Sequence, residues 1–244
     1  MIIYGRQAVR EALWGSGQVE RLLLADGIEA KVAREFERLA AKAGIPTDTL
    51  PRIVLDRALG TARHQGIAAE LAEVEISEPE APFELAAQRG EPLLLVVLDQ
   101  IQDPRNYGAI IRSAEALGAH GVVSEQRRNA PLSAVAVKAA AGATAHLPIV
   151  QVTNIVHYLK VLKRRGLWVY GAAGEATSTL DAVDWDLDLA LVIGSEGRGL
   201  RRLVRDTCDE LIGIPLRGRV GSLNASVATG ILLHTIQTSR TKIS

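Results

Sequence analysis

The 244-residue chain has a single cysteine, Cys208, which excludes an intrachain disulfide and a cysteine-built zinc site. No metal is expected, and a reducing compartment suits the chain. No run of about 18 apolar residues is present, so nothing in the sequence reads as a membrane helix. The opening MIIYGRQAVREALWG lacks the charged-then-apolar layout of a signal peptide, and the expectation is a soluble cytoplasmic protein with no membrane partner. Net charge is absent too: 28 Lys and Arg balance 28 Asp and Glu, which argues against a protein that coats nucleic acid along its whole surface. Internal repeats and low-complexity tracts are also missing.

What is present is an ordinary globular mixture, 48% hydrophobic and 23% charged, enough to bury a sizeable core. The zero charge is a cancellation between segments. Residues 131–170 hold five basic and no acidic side chains, whereas 171–193 hold five acidic and no basic ones. Arg198, Arg201, Arg202, Arg205, Arg217 and Arg219 then crowd two short stretches, where an anion could bind.

The length allows one large domain or two modest ones. Leu22 to Ala25 reads as a strand, Glu29 to Ala43 as a helix with Val32, Phe36 and Leu39 on one side, and Gly66 to Leu71 as β-prone. Residues 76–92 combine Pro79, Pro82 and Pro92 with four glutamates, a composition that suits an acidic linker with a short helix near Phe83 to Gln88. The expected organisation is therefore a domain over 1–75, a linker over 76–92 and a second domain over 93–244. In the latter, nearly continuous apolar runs at 93–99, 121–123, 147–152, 167–171, 189–194 and 211–215 alternate with helical segments at 109–117, 133–141, 155–165, 201–206 and 223–238. This predicts an α/β fold with a mostly parallel sheet between helices and ligands beyond the carboxyl ends of the strands.

Three loops follow such strands. In the first, Leu98 to Gly118, a helix beginning near Gly108 would place Arg112 one turn in, within reach of the loop that holds Asn106; alone, this fits an ordinary helix start with a solvated arginine. In the second, Leu191 to Leu203, Gly194, Gly197 and Gly199 surround Glu196, and the spacing is not the G-x-G-x-x-G of dinucleotide binding, which disfavours a nicotinamide oxidoreductase. In the third, Ile214 to His234, Ser222 or Asn224 can cap a helix whose Ala225, Ala228 and Gly230 leave one face small, suited to a subunit contact or to the core.

Together the three loops resemble the three motifs of the SpoU (TrmH) family of S-adenosylmethionine-dependent RNA 2'-O-methyltransferases, in the SPOUT superfamily. The match runs through Asp103, Pro104, Asn106, Gly108, Arg112, Ser113, Ala114 and Gly118, then Gly194, Glu196, Gly197 and Gly199, then Ile214, Pro215, Ser222, Leu223, Asn224 and Ser226. Upstream, YGRQAVREAL and HQGI look like the small α/β substrate-binding domain of the family's ribosomal-RNA branch. His64 of HQGI reads as a structural or solvated histidine without chemistry.

The resemblance implies a deep trefoil knot in the C-terminal domain. It implies S-adenosylmethionine bound at Gly194, Ile214, Leu216 and Leu223, and a homodimer joined through the first and last helices of that domain. It further implies methylation of a ribose 2'-hydroxyl, hence RNA and not DNA as substrate, most closely a guanosine of 23S rRNA. Arg112, Asn106, Glu196, Ser222 and Asn224 would be the catalytic set. Arg127, Arg128, Arg198, Arg201 and Arg202 would meet RNA phosphate or simply be a solvated face. Arg217 and Arg219 depart from the small or apolar residues common in relatives. Two alternatives accompany this reading: a ribosome-assembly or RNA-binding module with little activity, and a tRNA 2'-O-methyltransferase.

Overall fold

A computed structural model describes residues 2–14, 19–71, 74–174, 176, 180 and 183–241. Glu175 and Asp181 of the acidic stretch lie outside them. The chain divides into two compact units, Met1–Val74 and Glu75–Ser244.

The first unit is a four-stranded sheet of β1 (Ile2–Tyr4), β2 (Val19–Ala25), β3 (Thr47–Leu50) and β4 (Ile67–Leu71) in the order β1-β4-β2-β3. β2 and β3 are parallel, and β4 runs antiparallel to β1 and β2. Helices α1 (Arg6–Trp14), α2 (Ala30–Lys42) and α3 (Arg52–Leu59) complete it. α2 buries Val32, Phe36 and Ala40, one residue per turn on one stripe. His64 is fully buried: its Nδ1 accepts the Gly66 N–H at 3.0 Å and its Nε2 lies 2.6 Å from Asp56 Oδ1. Both ring nitrogens are thus engaged inside the fold, with none directed to a ligand.

The second unit is built on six parallel strands, β5 (Leu94–Asp99), β6 (Gly121–Glu125), β7 (Ile149–Val152), β8 (Trp168–Ala172), β9 (Leu189–Gly194) and β10 (Glu210–Ile212), in the order β10-β8-β9-β5-β6-β7. All six fall on the apolar runs of the sequence. β5 is wholly buried, as a central strand covered on both faces must be. Around the sheet lie α4 (Ala81–Arg89), α5 (Pro104–Ala116), α6 (Ala134–Ala140), α7 (Ile155–Arg164), α8 (Arg202–Arg205) and α9 (Ala225–Thr241). Among the described residues no helix is long and apolar enough to cross a membrane.

Residues 76–92, expected to be a linker, are part of this unit. Ser77 bridges Val150 at the sheet edge, and α4 packs Phe83 and Ala86 into the core shared with α7. Glu80 takes both terminal nitrogens of Arg165, at 2.8 and 3.0 Å, while that guanidinium stacks over Phe83. Pro82 falls in the first turn of α4, where it breaks no helical hydrogen bond, so the prolines and acids that suggested a spacer are compatible with a docked helix.

From β5 the chain steps outward through β6 and β7, then crosses to β8 and returns so that β9 lies against β5. The direction of winding reverses between β5 and β9, where a crevice opens beyond the strand ends. The register pairs Asp99 with Gly194, so the loops after these two strands emerge side by side.

His120 pins the other end of β5. Its ring is fully buried and Nδ1 accepts the Leu94 N–H at 3.0 Å, which requires that nitrogen to be unprotonated. Burial, with Arg89 adding to it, holds the imidazole below the ordinary histidine value of 6.5. The unfolded chain takes up this proton first, so the contribution is intact above about pH 6.5 and is lost as pH falls toward the lower folded value. The thermal midpoint of wild type should therefore exceed that of His120→Asn by less at pH 5 than at pH 7.

Candidate active site

Glycine is required at the end of β9. A Cβ on Gly194 would stand 2.3 Å from the Gly199 carbonyl carbon and 2.5 Å from the Leu200 nitrogen, because the 195–199 loop folds back across it. Ser195 and Gly199 close that loop with two backbone hydrogen bonds of 3.1 and 2.8 Å, and Gly199 takes the left-handed conformation, φ 63°. Glu196 rides at its tip. Gly194→Ala is expected to destabilise the protein by about 1–3 kcal/mol, the range for overpacking, as read from urea unfolding.

The Glu196 carboxylate joins all three sequence loops. Its Oε1 accepts from Asn106 Nδ2 and from Asn224 Nδ2, each at 2.5 Å, and more weakly from the Ala225 N–H at 3.4 Å. Asn224 Nδ2 also donates to Asn106 Oδ1 at 3.0 Å. The other end of Asn224 caps α9, Oδ1 accepting from Ser226 N and Oγ at 2.9 and 2.6 Å. Helix capping and site building, which compete as readings of Asn224 in the sequence, are therefore both performed by it. Glu196 Oε2 has no hydrogen bond among the described residues.

Asn106 comes from further inside its helix than the sequence suggests. α5 begins at Pro104, four residues before Gly108, with Asp103 as N-cap accepting the Arg105 N–H at 2.8 Å. Asn106 is thus in the first turn, 9% exposed, and Arg112 lies about two turns from the helix start instead of one. Arg112 is exposed and lines neither of the cavities beside Glu196. The fold therefore brings Asn106, Glu196 and Asn224 together and leaves Arg112 apart.

Two cavities meet at Glu196. The first, about 620 Å³, is enclosed by the ends of β8, β9 and β10 and the loops after them. Gly194, Ile214, Leu216 and Leu223 all line it, with Glu196 and Ser222. Its walls combine apolar side chains with main-chain segments at 172–174, 193–199 and 212–214. The second, about 560 Å³, lies toward the β5–α5 loop and shares Ser195, Glu196, Gly197, Arg198 and Ala225 with the first. Both fall in the size range of small-molecule sites.

The arginines expected at an RNA surface divide. Arg127, Arg128, Arg198 and Arg202 are exposed, and Arg198 borders both cavities. Arg201 is instead an internal group. Its backbone N–H and Nε bind the two oxygens of fully buried Asp99 at 2.7 and 2.6 Å, and Nη2 lies 3.0 Å from Glu125, which is 5% exposed. This latch fastens the far end of the 195–199 loop to β5 and β6. Spacing along the chain could not reveal it, since Asp99 and Arg201 are 102 residues apart. Arg217 and Arg219 are exposed and do not line the first cavity. Among the described residues no cluster of His, Cys, Asp and Glu could hold a metal ion.

Comparison with known proteins agrees with this geometry. Residues 93–234 match the SpoU rRNA Methylase family, and residues 2–77 match the domain described as RNA 2'-O ribose methyltransferase substrate binding. The chain is 39% identical over 241 residues to YacO of Bacillus subtilis (strain 168), assigned to the TrmH family of tRNA/rRNA methyltransferases, covering 99% of this chain and 96% of that protein. It is 43% identical to an uncharacterized tRNA/rRNA methyltransferase of Mycobacterium avium (strain 104), covering 98% of this chain and 77% of the relative. Among solved structures, the SpoU methyltransferase AviRb of Streptomyces viridochromogenes in complex with AdoMet aligns over 100% of this chain and 91% of its own, at 25% identity and a TM-score of 0.69.

Proposed function

The chain belongs to the SpoU (TrmH) family of RNA methyltransferases, and from that premise we propose that it moves a methyl group from S-adenosylmethionine to a ribose 2'-hydroxyl of ribosomal RNA, at a guanosine of 23S rRNA. The observation that carries this reading is the position of Glu196, held by Asn106 and Asn224 on the wall between two cavities.

The first cavity suits S-adenosylmethionine. Ile214, Leu216 and Leu223 offer apolar surface for a purine ring, main-chain segments offer donors and acceptors, and the Glu196 carboxylate favours a sulfonium cation nearby. Bound there, the cofactor supplies an electrophilic methyl group. The winding of the 194–200 and 214–223 segments around this cavity is read as the family's trefoil knot.

The second cavity is the place for the target nucleotide. With Oε1 committed to two amides, Glu196 Oε2 accepts the hydrogen bond of the incoming 2'-hydroxyl, holds its oxygen toward the first cavity and takes up its proton as that oxygen gains the methyl group, so that much of the rate comes from orientation. Ser222, on the cofactor wall, adds a hydroxyl to the set. Arg112 keeps its proton, as guanidinium groups do, and acts by stabilising the developing alkoxide or the adjacent phosphate. It reaches the site in a homodimer formed across the groove between α5 and α9, where Val227, Gly230 and Ile231 alternate with the polar Ser113, Ser226, His234 and Thr235. Arg127, Arg128, Arg198 and Arg202 supply phosphate contacts, and the protein works in the cytoplasm.

Isothermal titration of the purified protein with S-adenosylmethionine should give one site per chain. Tritium from the labelled cofactor should pass to ribosomal RNA with a rate that falls steeply as salt rises. Cofactor binding without transfer to any RNA would instead favour a ribosome-assembly module, and transfer confined to tRNA would move the substrate.

A further inference from the structure

The residue after the central strand stands in a conformation that side chains avoid. Gln100, immediately beyond Asp99, has φ 63°, in the left-handed region that glycine enters freely and other residues enter at a cost. Its neighbours leave it no alternative. Asp99 is held by Arg201 through both oxygens. The Asn129 carboxamide accepts the Ile101 N–H at 2.7 Å and donates to the Leu98 carbonyl at 3.1 Å, and the Ala130 N–H binds the Ile101 carbonyl at 2.6 Å. The turn is thus clamped on both sides of Gln100.

Gln100 lines the second cavity. The other amides and the capping acid on that wall are committed: Gln102 Nε2 donates to the Arg128 carbonyl at 2.6 Å, Asp103 caps α5, and Asn106 is bound to Glu196 and Asn224. Gln100 makes no hydrogen bond among the described residues. A strained turn therefore presents one uncommitted carboxamide, with an acceptor and two donors, to the cavity that also contains Glu196.

We infer that Gln100 is the specificity residue of this enzyme, its carboxamide pairing with the edge of the target base while Glu196 holds the ribose. The inference rests on the proposed ribose methylation and adds to it the group that chooses the nucleotide. A carboxamide left unpaired in the closed site by a wrong base is penalised, whereas the right base satisfies it through two hydrogen bonds, and such sites discriminate strongly.

The test begins with wild type and tritiated S-adenosylmethionine on transcribed 16S and 23S rRNA and tRNA. Once the methylated position is mapped, four short transcripts carrying each base at that position are compared for wild type, Gln100→Gly and Gln100→Glu. Gln100→Gly should raise the thermal midpoint by relieving the left-handed turn and should leave cofactor affinity within about twofold by calorimetry. It should lower kcat/KM on the preferred transcript at least about tenfold and reduce the preference over the other three bases by a similar factor. Gln100→Glu, which loses the donors and keeps the shape, should change which base is preferred. Wild-type preference in Gln100→Gly overturns the assignment, as does a loss of cofactor affinity in step with activity. Wild type that methylates no RNA fails earlier, and removes the proposed function together with this inference.

Discussion

Replacing Arg112 by alanine, or Glu196 by glutamine, is expected to cut methyl transfer at least about 100-fold while the protein stays folded and still binds S-adenosylmethionine. The two variants fail for different reasons. Arg112 is exposed on α5 with no hydrogen bond or ion pair among the described residues, so its loss should leave the thermal midpoint unchanged and remove only positive charge from the proposed reacting centre. Glu196→Gln keeps an oxygen for the two asparagines and loses the carboxylate charge that the hydroxyl and the sulfonium would feel. Because Arg112 is read as coming from the partner subunit, mixed dimers of Arg112→Ala and Glu196→Gln should regain activity at one of their two sites. A mixture as inactive as either parent would place both residues in one subunit's site, and near-normal turnover by either single variant would remove that residue from catalysis.

Among the arginines expected to meet RNA, Arg201→Ala should be the most destabilising, by about 3 kcal/mol in urea unfolding. Breaking a buried ion pair costs roughly 3–5 kcal/mol because the remaining charge stays in the interior uncompensated. Here Asp99, at 0% exposure, would be stranded outright, and Glu125, at 5%, would keep only the exposed Arg128 at 3.8 Å. The lower end of the range applies because the Arg201 side chain is 22% exposed and its loss admits some water. Arg202→Ala, one residue on, removes a side chain that is 91% exposed and only 3.6 Å from Asp206, so stability should change by less than about 0.5 kcal/mol. Adding Asp99→Asn to Arg201→Ala should recover part of the loss, since the stranded charge is then gone. Equal stability of Arg201→Ala and Arg202→Ala would dismantle the latch.

That pair of neighbouring arginines shows where a sequence stops being readable. Arg201 and Arg202 are alike in residue type and local context, and only the pairing of Asp99 with Gly194 in the sheet decides that one meets buried acids and the other water. The strands of the second unit were legible because burial on both faces leaves continuous apolar runs, and all six lie where those runs fall. β3 was not, since TDTL is short and polar, and α3 has no capping side chain to announce it. The start of α5 is marked in the sequence by Asp103 followed by Pro104, an N-cap and first-turn signal, four residues before the Gly108 start expected above. Gly108 has a different reason to be glycine, because a Cβ there would lie 2.1 Å from the Ala136 carbonyl oxygen of α6. At the candidate site, the resemblance to the family's motifs named Asn106, Glu196 and Asn224, while the shared carboxylate oxygen that joins them, and the separation of Arg112, needed coordinates. Gln100 gave no signal, since the left-handed turn is imposed by Asn129, distant in sequence.

The proposed reaction puts a methyl group on a ribose oxygen beside Glu196. The most direct measurement treats ribosomal RNA from cells lacking this protein with the purified enzyme and S-adenosylmethionine, then maps the product by alkaline hydrolysis and mass spectrometry of nucleosides. A single alkali-resistant linkage, yielding one 2'-O-methylated guanosine in 23S rRNA, is the predicted result. A methyl group on a base, or none on any ribose, would contradict it.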